Sequence, residues 1–74
     1  MYERIRNLRE DRDLLQRDIA KILNCTQVAY SRYELGVRGI PAEALIVLAK
    51  FHNTSIDYML ELTDVMKPYP RKLQ

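Results

Sequence analysis

The stretch NCTQVAYSRYELG, residues 24–36, carries the side chains best suited to specific contacts. They offer an amide, a small apolar group, a hydroxyl and a guanidinium: Gln27, Val28, Ser31 and Arg32. Residues three or four apart on a helix share a face, so these four side chains would form one outward stripe. Such a stripe is either a solvated surface or a recognition surface, and the pattern alone leaves both open.

The composition limits the classes of protein that fit. The 74 residues predict a single domain, near the lower size for a core without disulfides or metal and without room for a ligand-sensing domain. Apolar residues make up 47% and charged residues 30%, with two glycines and three prolines, which favours a folded helical domain over disorder. The single Cys25 excludes an internal disulfide and a multi-cysteine zinc site.

Targeting segments and net charge say less than composition about what the protein does. The sequence shows no signal peptide and no apolar run long enough to span a bilayer, so we expect a cytoplasmic protein without membrane contact. The net charge of +2 is too small to identify nucleic acid as the partner. Arginine supplies eight of the twelve cations, which suits phosphates and guanine edges, although arginine–carboxylate pairs on a solvated surface explain the count equally well.

Apolar spacing and turn residues predict three helices in the first half of the chain, over residues 2–13, residues 16–23, and residues 27 to 34 or 35. Asn24 tolerates the left-handed conformation that ends a helix, and Thr26 is a cap for the third helix. Because only two residues separate helices two and three, we expect both to be short and to cross steeply.

The second half predicts two more helices. Pro41 suits the first turn of a fourth helix, whose residues 42–51 are apolar nearly all round and should lie at the centre of the core. A fifth helix is expected from Ile56 to about Leu62. Beyond a domain of residues 1–63, two prolines predict an extended basic tail over residues 64–74. The cations of that tail are Lys67, Arg71 and Lys72.

Four features of residues 16–35 occur together: Gln16 opening helix two, Ala20 at the helix crossing, Asn24 in the turn and Tyr30 inside helix three. This combination resembles the helix-turn-helix of the phage-repressor and Cro type, also called the xenobiotic response element (XRE) family. The segments IRNLRED, LLQRDIAKILN, SRYELG and LIVLAKFHNTSIDYML follow the same family's order, so the resemblance covers roughly residues 3 to 63. It implies an all-α, compact five-helix repressor-like domain in which helices two and three form the helix-turn-helix.

The resemblance also implies a sequence-specific transcriptional regulator, a repressor, that binds double-stranded DNA. Helix three would enter the major groove, where each base pair shows a distinct pattern of donors and acceptors. Gln27 suits an adenine edge, Arg32 a guanine, and Val28 or Ala29 a thymine methyl, while Ser31 shares the same stripe. With the resemblance, the recognition surface is favoured over the solvated one.

Four residues around this helix are expected at DNA phosphates: Gln16, Arg17, Thr26 and Arg38. The start of helix two has free backbone N–H groups and a helix dipole that favour an anion. The resemblance further implies a structural ion pair between Arg9 and Glu34.

Other positions depart from the family's pattern. Leu15 replaces the usual Ser or Thr cap of helix two, a cap that typically contributes about 1 kcal/mol. Leu35 and Val37 replace polar and basic residues near Gly36, so we expect weaker non-specific DNA binding or a greater reliance on the remaining arginines. Asp18 is expected to repel DNA.

Alternatives remain for the function and for the surface of helix five. Because the loop after helix three is poor in cations, a helical protein-interaction module or an antitoxin-like partner with the same fold is the second candidate. An enzyme is not expected, since no nucleophile with a nearby base and no glycine-rich phosphate loop occurs, and neither is a cofactor, a metal or a small-molecule ligand. Three apolar residues are either ordinary exposed side chains or the contact of a homodimer: Tyr58, Leu62 and Val65.

Overall fold

Five helices build the part of the chain that the computed structural model describes, residues 1–70. They are α1 (Glu3–Asp11), α2 (Gln16–Ile22), α3 (Gln27–Leu35), α4 (Ala42–Phe51) and α5 (Ile56–Met59). Residues 1–70 contain no strand, and the predicted all-α, five-helix fold is therefore confirmed. Across the same residues, none of the helices has the length and apolar character that a membrane span needs.

One apolar core joins all five helices. Its buried residues are Ile5, Leu8, Ile19, Ala20, Tyr30, Tyr33, Leu48, Ala49 and Met59. Spacing produces this arrangement, because residues three apart, such as Ile5 and Leu8, project from one side of a helix. Ala20 is buried in α2, the helix that packs against α3, and a small side chain suits a close approach of two helices. The core thereby fixes α3 by its inner face and leaves the other face outside.

Each helix is followed, one or two residues after its end, by a residue in the left-handed conformation: Asp13, Asn24, Gly36, Asn53 and Glu61. After α2, the N–H of Cys25 bonds to the carbonyl of Ala20 at 2.9 Å and that of Asn24 to the carbonyl of Lys21 at 3.1 Å. These two bonds satisfy carbonyls that the helix itself leaves free. The turn at Asn24, with a φ of 56°, is the one that the sequence predicted.

Helix α4 differs from its prediction in two ways. Pro41 does not lie in the first turn, because the helix begins at Ala42 and Pro41 precedes it in an extended conformation. The carbonyl of Pro41 accepts the N–H of Leu45 at 3.0 Å. The helix is also buried on one side only, since Ile46 is 46% and Val47 38% exposed. A domain of five short helices surrounds α4 incompletely, and these two side chains border shallow surface cavities.

Helix α5 ends at Met59, earlier than the predicted Leu62. Glu61 turns the chain into the left-handed conformation, and the N–H of Leu62 bonds back to the carbonyl of Asp57 at 2.8 Å. Arg4 of α1 donates to the carbonyl of Tyr58 at 3.1 Å and stacks 4.4 Å from the centre of the Tyr58 ring. These contacts hold the short helix against α1.

The segment after α5 is fastened to the domain at three points. Arg4 donates to the carbonyl of Thr63 and pairs with Asp64 at 2.6 Å. Buried Thr54 donates its hydroxyl to the carbonyl of Met66 at 2.6 Å, and the hydroxyl of Tyr69 donates to Asp57 at 2.8 Å. The end of the predicted basic tail, with Arg71 and Lys72, lies outside the described residues.

Candidate nucleic-acid interface

Helix α3 presents one face to the core and one to the outside. Thr26 caps it by accepting the N–H of Ala29 at 3.1 Å, and Gly36 ends it with a φ of 75°. Tyr30 and Tyr33 are buried on the inner face, as the sequence predicted. The opposite face is therefore left for contacts with another molecule.

This outer face lines a shallow cavity of about 510 Å³. Its lining residues are Gln16, Gln27, Val28, Ser31, Arg32 and Leu35. All four predicted base-contacting residues thus share one surface with Gln16, which comes from the start of α2. Leu35 was not predicted as part of this surface. Its position, four residues after Ser31 and seven after Val28, is the helical spacing that places it on the same face.

A buried ion pair contacts this surface through Gln16. The Nε of Arg9 is 2.7 Å from one carboxylate oxygen of Glu34, and its Nη2 is 3.2 Å from the other. Arg9 also donates to the carbonyl of Leu14 at 2.8 Å, while the amide of Gln16 donates to Glu34 at 3.3 Å. The pair therefore ties α1 and the start of α2 to the last turn of α3.

The ion pair keeps both groups charged. Burial alone raises the pKa of Glu34, but the hydrogen bonds it accepts, first from Arg9, outweigh burial and hold that pKa below its usual range. The hydrogen bond to Glu34 likewise raises the pKa of Arg9. A buried charge would be costly without this partner, so the contact makes the position of α3 depend on Arg9.

The start of α2 is capped by an unexpected residue. The side chain of Leu15 cannot accept a hydrogen bond, as the sequence indicated, but the carboxylate of Asp18 accepts the backbone N–H of Leu15 at 2.8 Å. Asp18 therefore has a structural contact that sequence reasoning missed, although an acidic residue three positions after the N-cap is the usual sign of such a contact.

The four predicted phosphate contacts keep hydrogen-bond donors available. Thr26 accepts a bond as a cap, so its hydroxyl hydrogen can still be donated. Gln16 donates one of its two amide N–H groups to Glu34, and its second N–H remains available as a donor. Arg17 is exposed on the first turn of α2, and Arg38 is exposed in the next loop, 6.0 Å from the ring centre of Tyr33. Donors thus lie at the start of α2 and near both ends of α3.

The comparison with known families agrees with this geometry. A family model described as helix-turn-helix matches residues 5–59, which is more than half of the chain. The chain belongs to the XRE-type helix-turn-helix family. The resemblance predicted from residues 3 to 63 is therefore confirmed.

Two curated relatives of this helix-turn-helix protein come from Bacillus subtilis (strain 168), and both are described as uncharacterized HTH-type transcriptional regulators. YobD is 33% identical over 69 residues, which cover 92% of this chain and 62% of YobD. YqaE is 34% identical over 59 residues, which cover 80% of this chain and 51% of YqaE. The chain thus spans about half to three fifths of these relatives' length. No solved structure matches it significantly.

The three residues considered for a dimer contact are placed unequally in this helix-turn-helix protein. Leu62 is 73% and Val65 60% exposed, beyond the end of α5. Tyr58 is half-buried beneath the guanidinium of Arg4. The three side chains therefore do not form one helical stripe, and only Leu62 and Val65 offer a large exposed apolar area.

Proposed function

We propose that this chain is a sequence-specific, DNA-binding transcriptional repressor domain that acts in the cytoplasm and inserts α3 into the major groove. Membership of the helix-turn-helix family and the names of the two relatives support DNA binding and regulation. The observation that carries the finer proposal is the shallow cavity, which gathers donors, acceptors and apolar groups on the outer face of α3. A binding surface of this kind supports recognition rather than catalysis.

The residues of this surface have separate roles. Arg32, exposed near the middle of α3, binds the acceptor pair of a guanine, and Gln27 binds an adenine, whose edge offers one donor and one acceptor. Val28, 60% exposed, packs on a thymine methyl, and the hydroxyl of Ser31 donates or accepts a hydrogen bond at a base edge beside that methyl.

Phosphates on both sides of the groove hold the helix in register. Gln16 and Arg17 bind one strand from the start of α2, where the helix dipole adds attraction for an anion. Thr26 and Arg38 bind from the two ends of α3. Because Arg38 is the only cation between residues 35 and 41, non-specific binding should depend strongly on it.

Selection of bound sequences from a random DNA pool, followed by fluorescence anisotropy on the selected site, tests these roles. Arg32→Ala and Gln27→Ala should each cost about 1 to 3 kcal/mol on the selected site and relax its sequence preference. Arg38→Ala should weaken all sequences alike and reduce the salt slope by about one. Lys50→Ala, an exposed cation on α4, is the matched control and should change neither property.

Two results would contradict the proposal. If the α3 variants and Arg38→Ala behave identically, the division into base and phosphate contacts is wrong. If no DNA sequence binds saturably, the second candidate, a protein-interaction module or antitoxin-like partner that keeps this fold, takes its place.

We further infer that two copies bind adjacent half-sites as a homodimer. A single helix-turn-helix contacts one half-site, and a symmetric dimer doubles the interface. Leu62 and Val65 supply exposed apolar area away from the α3 surface. Sedimentation with and without DNA tests this inference: Leu62→Glu should abolish dimers while leaving the thermal melt of the monomer unchanged, and dimers that survive the substitution would place the contact elsewhere.

A further inference from the structure

Leu35 lies at the C-terminal end of α3, within the surface that we propose meets DNA. It is the last residue of α3, it is 51% exposed, and it lines the same shallow cavity as Gln16 and Arg32. At about 100° per residue, Leu35 lies about 40° from Ser31 and about 20° from Val28 around the helix axis. Leu35 therefore points in a direction between those two side chains.

The chemistry of Leu35 restricts what it can contact. A leucine offers only apolar surface, so it gains nothing from a phosphate or from the hydrogen-bonding groups of a base. In the major groove, the apolar group on a base edge is the C5-methyl of a pyrimidine. Burying leucine against this methyl removes apolar area of both partners from water.

Leu35 and Val28 cannot share one methyl group. Seven residues along a helix correspond to about 10 Å, and successive base pairs are about 3.4 Å apart. We propose that Leu35 is a specificity-determining residue that packs on the C5-methyl of a pyrimidine, thymine in unmodified DNA, at a base pair separate from the one contacted by Val28. This inference rests on the proposed function.

Val37 provides a matched control for this proposal. It is also apolar and is even more exposed, at 72%, but it follows the left-handed Gly36 and does not line the cavity. A general effect of surface hydrophobicity on DNA binding would therefore affect Val37 at least as strongly as Leu35.

The test uses the selected DNA site with each thymine replaced in turn by deoxyuridine, which lacks the C5-methyl. Wild-type protein should lose about fourfold in affinity at the thymine that Leu35 contacts, the equivalent of roughly 0.8 kcal/mol for one buried methylene-sized group. Leu35→Ala should show no loss at this thymine, whereas Leu35→Met, Val37→Ala and Val28→Ala should retain it. Val28→Ala should instead lose the sensitivity at a different thymine.

A second arm replaces each cytosine by 5-methylcytosine, which carries the same methyl group. A gain of affinity at one cytosine that disappears in Leu35→Ala would also support the methyl contact, with a modified base as its source. The proposal is overturned if Leu35→Ala and wild type respond alike to every replacement in both arms, or if Val37→Ala matches Leu35→Ala. A failure of the proposed function looks different, because then no DNA site is selected at all. Thermal melts check that each variant is folded.

Discussion

Removing Arg9 should destabilise the domain more than removing any exposed cation, because it leaves Glu34 buried without its partner. The side chain of Arg9 is 10% and that of Glu34 3% exposed, and two hydrogen bonds join them. Breaking such a buried pair costs about 3 to 5 kcal/mol. A chain of this length has about 4 to 11 kcal/mol of stability in total. Arg9→Met should therefore lose a large share of the free energy of unfolding.

Urea denaturation followed by far-ultraviolet circular dichroism measures this loss. Arg6→Met is the matched control, since Arg6 pairs with Glu10 at 3.3 Å while both side chains are 46% to 48% exposed. Exposed pairs four residues apart on a helix contribute about 0.3 to 0.5 kcal/mol. If Arg9→Met costs no more than Arg6→Met, the buried pair does not stabilise the domain more than an exposed pair does.

The dependence on pH gives a second check on the same variant. Because the folded pKa of Glu34 is lowered, its stabilising contribution is present above the unfolded pKa of about 4.3 and is lost as pH falls through the folded value. In Arg9→Met, burial raises the pKa of Glu34 above its unfolded value, so the stability deficit relative to wild type should begin to narrow as pH falls through this raised pKa, and should narrow further as pH falls through the lowered pKa of Glu34 in the wild type. A deficit of constant size across this range would show that the charge of Glu34 is not its cause.

Three further predictions concern other parts of the fold. Burial, with a smaller effect from Arg12, lowers the pKa of His52 to about 4. The neutral, buried His52 should therefore contribute about 3 kcal/mol to the free energy of unfolding above pH 6.5, and unfolding experiments should show that this contribution is lost as pH falls to 4. His52→Leu should remove that loss. Thr26→Ala should lower the free energy of unfolding by about 1 kcal/mol, measured in urea, because the N–H of Ala29 loses its cap. Gly36→Ala should lower the melting temperature, because its φ is 75° and a Cβ there would lie 3.3 Å from the backbone nitrogen of Met1.

The helices and the buried face of α3 could be predicted because local patterns determine them. Asn24 and Thr26 mark the turn through backbone conformation and capping, which depend on near neighbours alone. Tyr30 and Tyr33 are buried because helical spacing places them on one side. The structure also contains the ion pair between Arg9 and Glu34 that the family resemblance implied.

What the sequence did not predict depends on contacts between distant segments. Arg4 reaches residues more than 50 positions away, and no periodicity reveals such a partner. The exposed Ile46 and Val47 look like core residues in the sequence, because burial depends on how many elements surround α4. Asp18 was interpreted by its charge alone, whereas its distance to the backbone of Leu15 assigns it a capping contact.

Amide chemical shifts of the labelled protein, recorded while the selected DNA is added, would show which residues meet DNA. The largest changes should fall on α3 from Gln27 to Leu35, on Gln16 and Arg17 at the start of α2, and on Arg38. Amides of the core side of α4 should change little. Changes concentrated on α5 and on Leu62 to Val65, with α3 unaffected, would show that α3 does not bind the DNA.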